Sequence, residues 1–185
     1  MKIQIAAVLF LGLASFSNKV MASPISCNVR QSSYNCLLCN CYHETRGEST
    51  NGKVAVAKVV LSRAESDEYP NGICKVVYQR SQFSWTNDRI NNNINATKAE
   101  DIASLDECKS AINTALHEGS NGVLYYYNPS AAQPKWARAF TLCGRVENHV
   151  FLTPKGTKCP KKLGSNGKSG SSSNQGNKKH REGAR

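Results

Sequence analysis

Histidine and methionine are scarce in this chain, with four and two copies in 185 residues, and several familiar site patterns are missing. No Gly-x-Ser-x-Gly turn is present, which removes the nucleophile elbow of serine hydrolases. His43-Glu44 starts like the zinc-protease helix motif, but Gly47 stands where the second imidazole belongs, so that metal site fails. No repeats are visible. After residue 22 no apolar run is long enough to cross a bilayer. Acidic residues almost vanish at one end: residues 155–185 hold nine Lys+Arg and one Glu.

What is present begins with a basic residue, Lys2, an apolar run from Ile3 to Phe16, and small residues ending at Ala22. That order is expected of a secretory signal peptide over 1–22, and it predicts an exported chain in the periplasm, cell envelope or extracellular space. The remaining length suits one domain with a real core, residues 23–154. All eight cysteines lie beyond residue 22, and an even count in an exported chain predicts disulfides, with the pairing left open. "CLLCNC" at 36–41 is also a conceivable thiolate metal site, but an oxidising space favours bridges, so neither a metal nor another cofactor is expected.

The charge divides sharply. Residues 23–154 carry 13 Lys+Arg against 12 Asp+Glu, so the high pI belongs to the basic segment 155–185. Rich in Gly, Ser, Asn and Lys, that segment cannot bury enough apolar surface to offset ordering entropy, and most of it is expected to be disordered, with Cys159 pinning its start. It is either a solubilising tail or a device attracted to anionic wall polymers or lipid headgroups. Export argues against nucleic acid as a partner. A monomer is expected.

The spacing predicts a helix over Tyr34–Arg46 stopped by Gly47, and a buried central helix over "GKVAVAKVVLSRAE" from Gly52, apolar nearly all round. A short helix is expected in 74–80 and a loop over 82–89. A second strong helix runs from Leu105 to His117, with Cys108, Ala111, Ile112, Ala115 and Leu116 on one face. "NGVLYYYNP" and "GRVENHVFLTP" each predict one short strand. The body is thus α+β, mainly helical with a small β element.

Glu44 is the carboxylate best placed for chemistry. In the last turn of a helix it sits at the negative pole, and the apolar helix beside it adds desolvation, so both effects hold the carboxyl protonated. A protonated carboxyl near neutral pH is what a general acid needs. On spacing alone, an ordinary exposed helix glutamate fits as well. Glu48, past the glycine, is expected to be more exposed and able to pair with Arg46. A Cys–His nucleophile such as Cys41 with His149 is open if a thiol escapes pairing. Phe83, Trp85, Tyr125, Tyr126, Tyr127 and Trp136 lie in or beside loops, where they suit either core packing or a groove for sugar rings.

"YHETRGES…GKVAVAKVVLSR", "YPNGICKVVYQRSQFSW", "GVLYYYNPSAAQPKWA" and "RVENHVF" together resemble, in order over residues 41 to 152, the SleB-type cell-wall hydrolases, the spore cortex-lytic enzyme family. The resemblance implies a lysozyme-like catalytic domain acting on peptidoglycan at the β-1,4 bond between N-acetylmuramic acid and N-acetylglucosamine, by lytic transglycosylation. It implies Glu44 as the catalytic acid, with Glu48, Gln82, Phe83, Ser84, Tyr127, Asn128, Trp136 and His149 contacting or supporting substrate. Thr45 and Ser62 depart from the family's usual Ala and Asn, and the cysteines and basic tail lie outside its pattern. A non-catalytic glycan-binding protein of the same fold, a cysteine-dependent wall amidase or peptidase, and a cationic membrane-active protein remain as rivals.

Overall fold

The computed structural model describes residues 23–165; the expected signal peptide and most of the basic tail lie outside the described residues. Helix α1 spans Ser33–Glu44, and the Ser32 hydroxyl caps it by accepting from the Asn35 backbone N–H. It ends two residues before the predicted limit. Thr45, fully buried, turns its hydroxyl back onto the Cys41 carbonyl at 2.6 Å, and Gly47 takes a φ of +89° that side chains disfavour.

Helix α2, Thr50–Glu65, is the buried central helix, capped by Ser49. Val54, Ala57, Val60 and Leu61 pack into the helical core, while Ala55, Val56 and Val59 meet Val123 and Phe151 of the sheet layer. Its two mid-helix lysines are buried as well. Lys53 bonds the Glu48 carbonyl and pairs with Glu107 at 3.0 Å, and Lys58 pairs with Glu118 at 2.6 Å and bonds the Gly164 carbonyl at 3.0 Å. Both acids lie on one neighbouring helix, α4 (Ala99–Glu118), so a helix that would otherwise bury two unpaired charges is satisfied by its neighbour.

Helix α3 is short, Ile73–Val77, and α4 runs Ala99–Glu118, six residues earlier at its start than predicted. Cys108, Ala111, Ile112 and Ala115 of α4 are buried, as the spacing requires, but Leu116 is 45% exposed and does not belong to that face. The predicted loop over 82–89 contains one 3-10 turn, Ser84–Thr86.

Three strands, β1 Tyr125–Tyr127, β2 Thr141–Val146 and β3 His149–Thr153, form an antiparallel sheet in the order β1-β3-β2. The segment expected to give one strand therefore gives parts of two, joined by a tight turn at Glu147-Asn148 with Glu147 at a φ of +51°. Mainly helical α+β architecture with a small sheet is what the sequence pattern required.

All eight cysteines are bridged: Cys27–Cys39, Cys36–Cys74, Cys41–Cys108 and Cys143–Cys159. Three bridges leave α1, toward the N-terminal arm, α3 and α4, and so fix the helix that ends in Glu44. The fourth ties the start of the basic segment to β2. Residues 155–165 lie against the body, where Asn121 donates to the Leu163 carbonyl and the Ser165 N–H donates to Asn51. No thiolate is left for a metal or for a cysteine nucleophile, which removes the amidase or peptidase built on Cys41 and His149.

Candidate active site

Glu44 closes α1 and opens into a cleft of about 760 Å³. The opposite wall is the 80–89 segment, which contributes Arg80, Gln82, Ser84 and Arg89, and Phe83 forms the floor at 2% exposure. Two inner residues complete it, Arg63 from α2 and Tyr126 from β1.

The Tyr126 phenol donates to Glu44 Oε2 at 3.4 Å. Burial pushes that phenol far above its usual range, and the neighbouring carboxylate adds to this, so it is a fixed donor at any working pH. Burial likewise holds the Glu44 carboxyl above the usual carboxylate range, against the opposing pull of the Tyr126 hydrogen bond and the Arg63 charge. The sign is the one argued from the sequence, with desolvation as its main cause.

Arg63 is 6% exposed and lies between the Tyr69 and Phe83 rings, its guanidinium carbon 5.0 and 5.7 Å from their centroids. Its Nε–H bonds the Leu124 carbonyl at 2.7 Å. Ser62 beside it, where the family pattern has Asn, accepts the backbone N–H groups of Asn121 and Gly122, both at 3.1 Å, and so anchors the turn leading into β1.

The wall is tied to the helix that carries the acid. Trp85 donates from its indole to Asn40 at 3.2 Å, and the His43 ring stacks on Trp85 at 4.7 Å between centroids while bonding the Asn92 carbonyl at 2.9 Å. Asn92 in turn donates to the Trp85 carbonyl. Asn40 and Glu44 are four apart, on one face of α1.

Gln82, Phe83 and Ser84 thus meet Glu44 in one cleft. Trp136, 45% exposed, lines an adjoining cleft of about 380 Å³ with Tyr125 and Phe140, and Arg63, Ser81, Gln82 and Tyr126 are common to both, so the two read as one groove. Tyr127 packs edge-on against Trp136, 6.0 Å between centroids, and borders neither cleft. Asn128 uses its side-chain oxygen on the Ser130 N–H at 2.9 Å and its carbonyl on Ala131 and Ala132, a turn role. His149 is buried and meets the Tyr126 ring edge-on at 5.1 Å, supporting it from behind.

Glu48 differs from expectation. It is only 9% exposed, accepts from Asn148 at 2.8 Å, and lies 3.7 Å from His149 Nδ1; Arg46 pairs with Asp101 instead. It borders a separate cleft with Lys53, Glu107 and Glu147, and does not face Glu44.

Sequence reasoning did not assign Arg63, Arg80, Ser81, Asn87 or Arg89 to the site, and it left Tyr126 open between core and groove. Strand alternation was the available signal for Tyr126. In a run of three tyrosines the middle one faces opposite to its neighbours, and its pairing with Phe151 turns it inward.

The Cell Wall Hydrolase family matches residues 47–152, beginning three residues after Glu44. The spore cortex-lytic enzyme of Bacillus subtilis is 35% identical over 111 residues, 60% of this chain and 34% of that protein. Its Bacillus cereus counterpart is 31% identical over 112 residues, 60% of this chain and 40% of that protein. The chain thus spans well under half the length of these relatives. Among solved structures, the catalytic domain of the germination-specific lytic transglycosylase SleB from Bacillus anthracis superposes with a TM-score of 0.54 at 26% identity, covering 66% of this chain and 95% of that domain. The catalytic domain of Bacillus cereus SleB gives 0.53 at 26% identity, covering 65% and 89%. With more than half its length matched in sequence and SleB catalytic domains matching its fold, the chain belongs to the SleB-type cell wall hydrolase family.

Proposed function

We propose that the protein is an exported peptidoglycan-degrading enzyme that cleaves the β-1,4 bond between N-acetylmuramic acid and N-acetylglucosamine by lytic transglycosylation. The observation that carries this reading is that Glu44, its carboxyl pushed above the usual carboxylate range by burial, is the sole carboxyl among the described residues lining its cleft. A hydrolysing glycosidase needs a second carboxylate across the scissile bond, about 5–10 Å away. Glu48 faces elsewhere, and a single acid suffices for transglycosylation.

Glu44 gives its proton to the glycosidic oxygen as the bond from the muramic C1 breaks. The resulting carboxylate takes the proton of the muramic C6 hydroxyl, and that oxygen closes on C1 to give a 1,6-anhydro ring. The Glu44 proton is thereby restored, with no water consumed. Tyr126 and Arg63 stabilise the carboxylate between the two transfers, and Gln82 and Ser84 offer polar anchors to sugar hydroxyls beside the Phe83 floor. The disulfides suit an oxidising compartment. The basic segment supplies attraction to anionic wall polymers or lipid headgroups, and the enzyme acts as a monomer.

Digestion of purified peptidoglycan, read by mass spectrometry, tests the reading. The wild type is expected to release muropeptides one water lighter than hydrolysis products, and Glu44→Gln none. Reducing-end products would overturn the single-acid mechanism. No products from correctly bridged protein would overturn the enzyme reading and leave a glycan-binding protein.

A further inference from the structure

Residues 23–154 are nearly neutral in charge, with 13 Lys+Arg against 12 Asp+Glu, yet the Glu44 cleft is not. Arg63, Arg80 and Arg89 line it against Glu44 alone. None of the three makes a salt bridge among the described residues. Arg63 Nη1 is buried without a hydrogen-bond partner, although its Nε is satisfied. A buried guanidinium N–H left empty is costly, and a ligand acceptor would satisfy it.

Arg80 and Arg89 are exposed and stand at the two ends of the cleft-wall segment. The backbone there is unusual. Ser81, next to Arg80, has a φ of +64° and Arg89 has a φ of +62°, a region non-glycine residues seldom adopt. Asp88, the acid beside Arg89 in sequence, is occupied by the Ile90 N–H and the Asn92 side chain. Three guanidinium groups facing a single carboxyl leave positive charge in excess, and they match carboxylates in charge and in fork geometry.

From this we infer that the arginine-lined cleft binds a carboxylate carried by the glycan substrate, and that the protein discriminates between charged and neutralised peptidoglycan. The inference rests on the peptidoglycan reading above and adds the chemical feature that is recognised. Two sources share this chemistry: the carboxylates of the stem peptides, and the lactyl carboxylate exposed on muramic acid that has lost its stem.

The test compares two preparations of peptidoglycan whose amines have been acetylated, one of them further coupled with methylamine to turn its carboxylates into neutral amides. The full chain is expected to release soluble fragments about tenfold more slowly from the neutralised preparation, as two or three exposed charge contacts would give. The Arg80→Gln/Arg89→Gln variant is expected to lose most of that preference with its melting temperature unchanged. Because the variant keeps the basic tail, a tail effect would survive in it. Equal release from both preparations by the wild type, or an undiminished preference in the variant, would overturn the inference.

Co-sedimentation of Glu44→Gln protein with the two preparations reads the same preference without turnover, so a failure of the enzyme reading is distinguishable from a failure of this one. Repeating it on glycan stripped of stems by an amidase, with and without amidation, identifies the source. A surviving preference assigns the lactyl carboxylate, and a preference lost with the stems assigns the peptide.

Discussion

The hydrogen bond between Trp85 and Asn40 joins the cleft wall to the helix that presents the acid, and its removal has a calculable effect. Both residues are buried, at 6% and 1% exposure, and the bond is 3.2 Å long. Asn40→Leu keeps the approximate shape but leaves the indole N–H without a partner, at a cost of about 2 kcal/mol. That is a large share of the roughly 5–15 kcal/mol that holds a domain folded. Trp85→Phe removes the donor and the stacking surface for His43, for a further loss of about 2 kcal/mol by cavity formation. In the Trp85→Phe background no N–H remains to be orphaned, so Asn40→Leu should then cost little. The double-mutant cycle, measured by urea unfolding of the fully bridged proteins, should return a coupling of about 1–2 kcal/mol. Activity should fall about tenfold in Asn40→Leu even where the protein is fully folded, because a shift of the wall relative to Glu44 misplaces the bond to be broken. A coupling below about 0.5 kcal/mol would refute the bond as the tether. Normal turnover in a variant with the full stability loss would refute the link from tether to acid.

Two other substitutions probe the acid itself. Tyr126→Phe removes the phenol that favours the ionised carboxyl, so the Glu44 pKa rises further and the alkaline limb of the pH dependence of kcat/KM moves to higher pH; a limb that stays put would separate Tyr126 from the acid. Glu44→Gln should raise the melting temperature at neutral pH. The folded-state pKa of Glu44 lies above its unfolded value, so the folded state binds the proton more tightly and wild-type stability declines as pH rises from the unfolded pKa through the folded one. The variant lacks that decline, and thermal scans should show the difference closing as pH falls through the ordinary glutamate range.

The helices were largely legible because their signals are local. A glycine, Gly47, after a periodic run, and a 14-residue stretch apolar nearly all round, point to a stopped helix and a buried one wherever they occur. The burial of Lys53 and Lys58 inside that helix was not legible, because it depends on Glu107 and Glu118 arriving from α4 about 50 residues later. Strand β2 was hidden for a different reason. Its register shifts between Leu142 and Gly144, which interrupts the alternation that marks a strand. Glu44, Gln82, Phe83 and Ser84, named from two short blocks that resemble the family, come together in one cleft. Tyr126 was legible only as one of several groove or core aromatics, because in a run of three tyrosines only the tertiary register decides which member faces the cleft. Arg63 carried no local signal, since a cation in the last turn of a helix is ordinarily a solvated one.

That same distinction settles how the two glutamates of "ETRGE" are to be read. Four residues apart on a continuous helix they would share a face. Here the helix ends at Glu44, the Thr45 hydroxyl closes the last turn, and Gly47 at a φ of +89° redirects the chain. Glu48 is carried round to the far side, against Asn148 and His149, while His149 in turn braces the Tyr126 ring that bonds Glu44. Glu48 therefore acts on the acid through two intervening side chains. Glu48→Gln should keep one bond to Asn148, cost little stability, and leave the product type unchanged while lowering the rate modestly, about two- to tenfold for a positioning effect. A conversion from 1,6-anhydro to reducing-end products, or a loss as complete as that of Glu44→Gln, would instead place Glu48 in contact with the reacting sugar and refute the single-acid arrangement.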